Sequence, residues 1–188
     1  MQEHAKIAMG MERLSTVFRA ALWEEAKQSG LSPLQAQILL FIASHAQPLN
    51  RISHLAKEFA ITKATVSDAV RVLLEKKLLK KQAGDDARAC SLHLTARGRK
   101  HTQKLSVFTR CFDEVLTDIP AEEAKKIWEG LLLLIGHLQA TAMIPLRMCL
   151  NCEHYRKHNG AAYCHLLQQP LQLNDLRLDC PEHRALAA

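Results

Sequence analysis

The chain has 188 residues, of which 48% are hydrophobic and 23% charged, and its formal net charge is +6. This length and composition exclude a disordered chain and allow one domain, or one domain with a small appendage. The most apolar run, residues 131–135, is too short to cross a bilayer, so no membrane segment is predicted.

Positive charge is concentrated in the middle of the chain. Between Arg51 and Lys104 there are 13 Lys or Arg and 5 Asp or Glu, a net charge of +8, whereas the remainder has a net charge of −2. A nucleic-acid interface requires such a local basic excess. A membrane-surface patch would also be basic, but it would need an amphipathic helix with aromatic anchors, which this segment lacks.

The chain begins with a predicted helix over residues 1–29. Its apolar residues recur at helical spacing: Ile7, Met11, Leu14, Val17, Phe18, Ala21 and Leu22. This is more apolar surface than one helix can bury on its own small domain. No apolar signal segment precedes it, so we expect a cytoplasmic protein with cysteines that are reduced, metal-bound or redox-active.

A second helix begins at Ser32-Pro33-Leu34-Gln35, with serine as N-cap and proline at the first helical position. Its predicted buried residues are Leu34, Ile38, Leu39, Phe41 and Ile42. A short third helix over residues 52–59 follows, and then a longer one from the N-cap Thr62 to Leu78.

The longer helix has two different faces. Val66, Ala69, Val70, Leu73 and Leu74 are predicted to face a core. The opposite face carries short or basic side chains: Lys63, Ala64, Thr65, Ser67, Asp68 and Arg71. Such a face suits DNA bases and phosphates, although an ordinary solvated face has the same composition.

A hairpin follows this helix. Leu78–Lys81 and Ser91–Thr95 are predicted strands, joined by a polar tip over residues 82–89 that contains a glycine. Thr95 is the expected N-cap of a long helix reaching about Leu116, and Pro120 begins a last helix that ends before Pro145.

The helix-turn-helix followed by a hairpin resembles the MarR family of bacterial transcription regulators over about residues 5–145. The matching motifs are Leu74-Glu75-Lys76-Lys77, a strand with Lys80 and Lys81, Asp86-Ala87-Arg88, and Leu92-His93-Leu94-Thr95-Ala96-Arg97-Gly98. Leu78 stands where the family usually has glycine. The resemblance implies that Arg88 reaches a minor groove, oriented by Asp86, and that the first helix packs with the last two in a dimer.

We therefore expect a mainly α fold with a small β-wing: a winged helix-turn-helix with long N- and C-terminal dimerisation helices and a small cysteine-rich C-terminal module. The predicted domains are residues 1–30 and 100–145 for dimerisation, 31–99 for DNA binding, and 146–188 for the module. The predicted DNA contacts are Lys63, Thr65, Ser67, Asp68, Arg71, Lys80, Lys81, Asp86 and Arg88.

The C-terminal module contains four of the six cysteines. Cys149 and Cys152 form a Cys-x2-Cys pair, Cys164 follows after 11 residues, and Cys180 after 15 more, followed by a proline. The segment has few large apolar residues, so a metal could supply the missing folding free energy. The alternative is a mobile tail with free thiols.

The metal could be either of two kinds. One Cys-x2-Cys pair and two single cysteines favour an iron–sulfur cluster, whereas His154, His158, His165 and His183 lie nearby and suit zinc or outer-shell roles. Cys90 and Cys111 receive no role, since such cysteines are more often small buried hydrophobes.

The predicted function is a cytoplasmic homodimeric transcription regulator, not an enzyme. Two-fold symmetry implies a pseudo-palindromic DNA operator, and the cluster would report redox state or iron. The first alternative is the same regulator with structural zinc. The further alternatives are a redox enzyme, for which no catalytic motif is present, and a protein-binding adaptor, against which the concentrated positive charge argues.

Overall fold

The computed structural model describes residues 3–45, 49–83, 90–158 and 160–186. The chain divides into two compact units. The first contains residues up to 56 and residues 61–118, and the second contains Lys57–Ala60 and the residues from 119 onward. Within the described ranges, every helix is too short or too polar to span a bilayer.

The first unit is mainly helical, with a two-stranded antiparallel hairpin, and α3 ends in the second unit. In chain order the elements are α1 (Glu3–Gln28), α2 (Pro33–Ser44), α3 (Ile52–Glu58), α4 (Lys63–Glu75), β1 (Leu79–Ala83), β2 (Cys90–Leu94), α5 (Ala96–Leu105) and α6 (Arg110–Thr117). Helix α2 packs against α1, α4 and α5, so it forms the centre of the unit. This helix-turn-helix and hairpin are the predicted winged-helix arrangement.

The helix starts predicted from capping chemistry are confirmed. The Ser32 hydroxyl accepts the Gln35 amide hydrogen bond while the Gln35 side chain accepts from the Ser32 amide, a complete capping box. Thr62 caps α4 through the Thr65 amide at 3.1 Å, and Thr95 caps α5 through the Gly98 amide at 2.9 Å.

Helix α4 ends at Glu75, three residues before the predicted end. The Leu78 amide donates to the Leu73 carbonyl and the Lys77 amide donates to the Leu74 carbonyl, both at 2.9 Å. Lys77 adopts a left-handed φ of 56°. This is the Schellman pattern of a helix C-terminus. Its left-handed residue is Lys77 and not Leu78, the residue that stands in place of the usual glycine, and Leu78 is buried.

The long helix predicted from Thr95 to about Leu116 is wrong as a single element. A 3-10 turn over Ser106–Thr109 separates α5 from α6. The Ser106 and Thr109 hydroxyls donate to main-chain carbonyls three residues back, at 2.8 and 3.3 Å. Such back-bonding competes with α-helical geometry. The turn also places Phe108 against Phe18 of α1, with ring centroids 5.5 Å apart.

The second unit contains a long helix and a small sheet. Its main elements are α7 (Ala121–Leu138), β3 (Tyr155–His158), β4 (Ala161–Cys164) and β5 (Gln169–Leu171). The three strands form one antiparallel sheet in sequence order. The Trp128 indole N–H donates to the Leu173 carbonyl at 3.0 Å, which fixes α7 to the C-terminal segment.

Helix α7 ends earlier than the predicted boundary at Pro145. A 3-10 turn over Gln139–Thr141 follows it, and Ala142 then adopts a left-handed φ of 49°. Two neighbouring leucines of α7 differ in exposure, with Leu132 at 5% and Leu133 at 63%. The helix therefore buries only one side within the single chain.

Candidate nucleic-acid interface and cysteine site

The predicted DNA-facing side of α4 is solvent-exposed. The exposed residues include every predicted contact on the helix: Lys63, Thr65, Ser67, Asp68 and Arg71. The Arg71 guanidinium lies 3.2 Å from a Glu75 oxygen and 3.7 Å from an Asp68 oxygen. Pairs this exposed contribute little to stability, so phosphate oxygens can replace the carboxylates at small cost.

The wing separates two predicted contacts. In the β1–β2 register Lys80 lies opposite His93 and Lys81 lies opposite Leu92. Neighbouring residues of a strand point to opposite faces, so Lys80 and Lys81 lie on opposite faces of the hairpin, and their roles as DNA contacts stay predictions. Asp86 and Arg88 lie outside the described residues, so their predicted roles stay predictions.

Sequence reasoning missed a basic cluster at the base of the wing. Lys80, His93 and Arg99 line an open cavity of about 370 Å³ together with residues at the end of α2. Arg99 donates to the Leu94 carbonyl at 3.2 Å, which directs its guanidinium toward the hairpin. Only the overall basic excess of the segment pointed to this cluster, because Arg99 matches no contact motif.

Positive charge also affects a histidine of α5. Burial lowers the pKa of His101, and the nearby cations Arg97, Lys104 and Lys76 lower it further. The cations from the end of α4 and from α5 therefore create a positive potential in this part of the first unit. Such a potential attracts a polyanion.

The four cysteines of the C-terminal module line one cavity of about 40 Å³. Cys149 and Cys152 are joined by a 3-10 turn in which the Cys152 amide donates to the Cys149 carbonyl at 3.1 Å. Cys164 ends β4, where it lies opposite Tyr155 of β3. Cys180 lies in a loop, and its own amide donates to the Arg147 carbonyl at 2.8 Å.

Cys149 is partly buried beside the other three cysteines. Its pKa is raised, chiefly by burial and also by like-charge repulsion from Cys180, Cys152 and Cys164, and a hydrogen bond from the Arg177 amide opposes this rise. The Arg177 amide lies 3.2 Å from the Cys149 sulfur. A main-chain N–H aimed at sulfur stabilises a thiolate, the form that binds metal.

The four predicted histidines differ in their surroundings. His154 lines the cysteine cavity, and its buried Nε2 makes no hydrogen bond and lies 3.6 Å from a Glu153 oxygen. His183 Nε2 lies 2.8 Å from the Asn151 side-chain oxygen, so that nitrogen is already engaged. His165 packs edge-on against Tyr163, and the side chain of His158 lies outside the description.

Among the described residues, no three His, Cys, Asp or Glu side chains are arranged to hold a metal ion as they stand. The donor set of the cavity nevertheless fits a thiophilic metal, since it combines four thiols, an N–H directed at sulfur and an imidazole nitrogen without a hydrogen bond. Cys90 and Cys111 are exposed free thiols, contrary to the expected burial.

The model of the MarR family matches residues 29–89, about a third of the chain. No curated protein matches the chain. Among solved structures, the MepR–DNA complex of Staphylococcus aureus is 20% identical, with a TM-score of 0.61, covering 73% of this chain and 100% of that chain.

Two further structures have the same fold. The transcriptional regulator BldR of Sulfolobus solfataricus is 23% identical, with a TM-score of 0.55 and coverage of 73% of this chain and 99% of that chain. The transcriptional regulator Tm0710 of Thermotoga maritima is 20% identical, with a TM-score of 0.53 and coverage of 73% and 96%. The chain thus has a winged helix-turn-helix fold, within which residues 29–89 match the MarR family.

Proposed function

We propose that this protein is a homodimeric, sequence-specific DNA-binding transcription regulator of MarR type. The observation that carries the proposal is the exposed polar and basic face of α4, next to a wing with exposed lysines in the basic segment of the chain. The family match over residues 29–89 supports it, as does the DNA complex of a protein with the same fold.

In the proposed complex α4 enters a major groove and the wing contacts the backbone and minor groove. Lys63, Thr65 and Ser67 lie in the first turns of α4 and are exposed, which suits contacts to base edges and phosphates. The exposed apolar residues of α1 form the dimer interface, so that two copies of α4 read a pseudo-palindromic operator.

The DNA-binding proposal is tested on an operator selected from random duplexes. We expect Lys63→Ala and Arg88→Ala each to weaken binding by about 1–3 kcal/mol. Where the side chain contacts a phosphate, the slope of log K against log [salt] should also become shallower by about one. Lys125→Ala, an exposed lysine of α7, is the control and leaves the titration unchanged. Wild-type affinity in both variants, with circular dichroism unchanged, would contradict the proposal.

We further propose that the module binds an iron–sulfur cluster through Cys149, Cys152, Cys164 and Cys180. Two of these thiols are supplied singly, from the end of β4 and from a loop, which is common in cluster ligation. A bound cluster would supply one-electron redox chemistry and would respond to iron supply. Zinc on the same four thiols is the alternative, and it would hold the module together without redox chemistry.

Metal analysis and a visible spectrum of anaerobically purified protein decide between the two metals. Iron and sulfide with visible absorbance support the cluster, and stoichiometric zinc in a colourless sample supports the alternative. Replacing Cys149 and Cys152 by serine should abolish metal binding, whereas replacing the exposed Cys90 and Cys111 should not. If the metal is regulatory, replacing Cys149 and Cys152 also alters operator affinity. If the metal is structural, these replacements alter only stability.

A further inference from the structure

Arg147 connects the cysteine module to the turn of the helix-turn-helix. Its Nη1 and Nη2 atoms donate to the two carboxylate oxygens of Glu58 at 2.9 and 3.0 Å, and its Nε donates to Asp179 at 2.6 Å. Glu58 is the last residue of α3, and Lys57–Ala60 belongs to the same compact unit as Arg147. The turn that precedes α4 is therefore held by a two-point, charge-assisted contact from the module.

Main-chain hydrogen bonds link the segment around Arg147 to the segment that contains Cys180. The Arg147 carbonyl accepts from the Cys180 amide at 2.8 Å, and Arg147 forms a parallel bridge with Asp179. Two residues later the Cys149 amide donates to the Arg177 carbonyl at 3.0 Å. A displacement of Cys149 or Cys180 must therefore displace the ion pair that holds Glu58.

The contact is buried, which makes it stiff. The Arg147 side chain is 9% exposed and that of Glu58 13%, and both line a cavity of about 500 Å³ whose other walls are mostly aliphatic. Separating Arg147 from Glu58 would leave a charge unpaired in apolar surroundings, so these two side chains move together.

We propose that Arg147 transmits the state of the cysteine site to the helix-turn-helix. Loading of the site shifts the paired segments around Arg147 and Asp179, and the contact with Glu58 carries the shift into Lys57–Ala60. Ala60 in this turn has a left-handed φ of 51°, and α4 begins three residues later. The inference rests on the proposed metal site and requires that the metal interact differently with two positions of the turn.

The test measures amide hydrogen exchange in Lys57–Ala60 for protein stripped of metal, loaded with zinc, or reconstituted with ferrous iron and sulfide. We expect loading to change exchange in the wild-type turn by at least about threefold. Glu58→Gln keeps the shape of the side chain but removes its charge, and should abolish this response with metal content unchanged. Glu114→Gln, in the exposed Arg110–Glu114 pair, should retain it.

The outcomes separate this inference from the proposed function, because operator affinity is measured on the same samples. A Glu58→Gln protein with the wild-type exchange response overturns the role of Arg147 and leaves DNA binding in place. Unchanged amide exchange in the wild-type turn on metal loading also overturns the inference, as does a chain that binds neither zinc nor an iron–sulfur cluster. If Glu58→Gln does not fold, Arg147→Lys replaces it, since lysine keeps the charge but cannot contact both carboxylates in the same way.

Discussion

At the scale of single residues, Gly98 shows why the motif Leu94-Thr95-Ala96-Arg97-Gly98 ends in glycine. A Cβ at this position would overlap the Leu78 carbonyl oxygen and lie 3.2 Å from a Leu94 methyl carbon. The same carbonyl accepts the Thr95 amide at 3.0 Å, so it cannot move without loss of that bond. The close approach joins the first turn of α5 to the residue that precedes the wing.

We therefore expect Gly98→Ala to lower the free energy of unfolding by about 1–3 kcal/mol, because its methyl group would overpack against the main chain. Gly130→Ala is the matched control, because nothing lies within 4 Å of its Cβ position in α7. That change should be neutral or stabilising by up to about 1 kcal/mol. Urea denaturation followed by circular dichroism measures both, and equal effects of the two changes would contradict the packing argument.

At the scale of elements, local chemistry decided what the sequence could predict. Ser32 and Thr62 cap helices through hydrogen bonds to amides three residues away, so both starts were predictable from neighbouring residues. The break at Ser106–Thr109 was missed: the hydroxyl bonds of these two residues are local, but the break also depends on the contact of Phe108 with Phe18, which is far away in sequence. The left-handed conformation of Lys77 was missed for another reason, because a lysine gives no signal for that conformation.

In the cysteine module, too, one feature was predictable from the sequence and another was not. The spacing of Cys149, Cys152, Cys164 and Cys180 predicted a shared site, and the four thiols line one cavity. The contact between Arg147 and Glu58 spans 89 positions of sequence, and neither residue belongs to a motif. Sequence therefore identified the four cysteines that share a cavity but not the ion pair beside them, and metal binding by these cysteines stays a prediction.

At the scale of the whole molecule, the proposed dimer rests on the exposed apolar residues of α1. Ile7, Met11, Leu14 and Phe18 alternate four and three residues apart, the spacing of an apolar helical seam. Ile7 and Leu14 are 52% and 59% exposed in the single chain. A row of exposed apolar side chains of this kind marks a protein interface, and a second copy of α1 has the complementary surface by symmetry.

Leu14→Glu tests this interface, because it puts a carboxylate into the apolar row of both copies. We expect the dimer to be weakened at least tenfold, about 1.4 kcal/mol or more, and operator binding to fall with it, since two half-sites are no longer held by one particle. Ser15→Glu adds the same charge at the next, exposed position outside the row and should leave the dimer intact. Sedimentation equilibrium over a range of concentrations distinguishes the two variants, and a Leu14→Glu protein that associates as tightly as Ser15→Glu would place the dimer interface elsewhere on the chain.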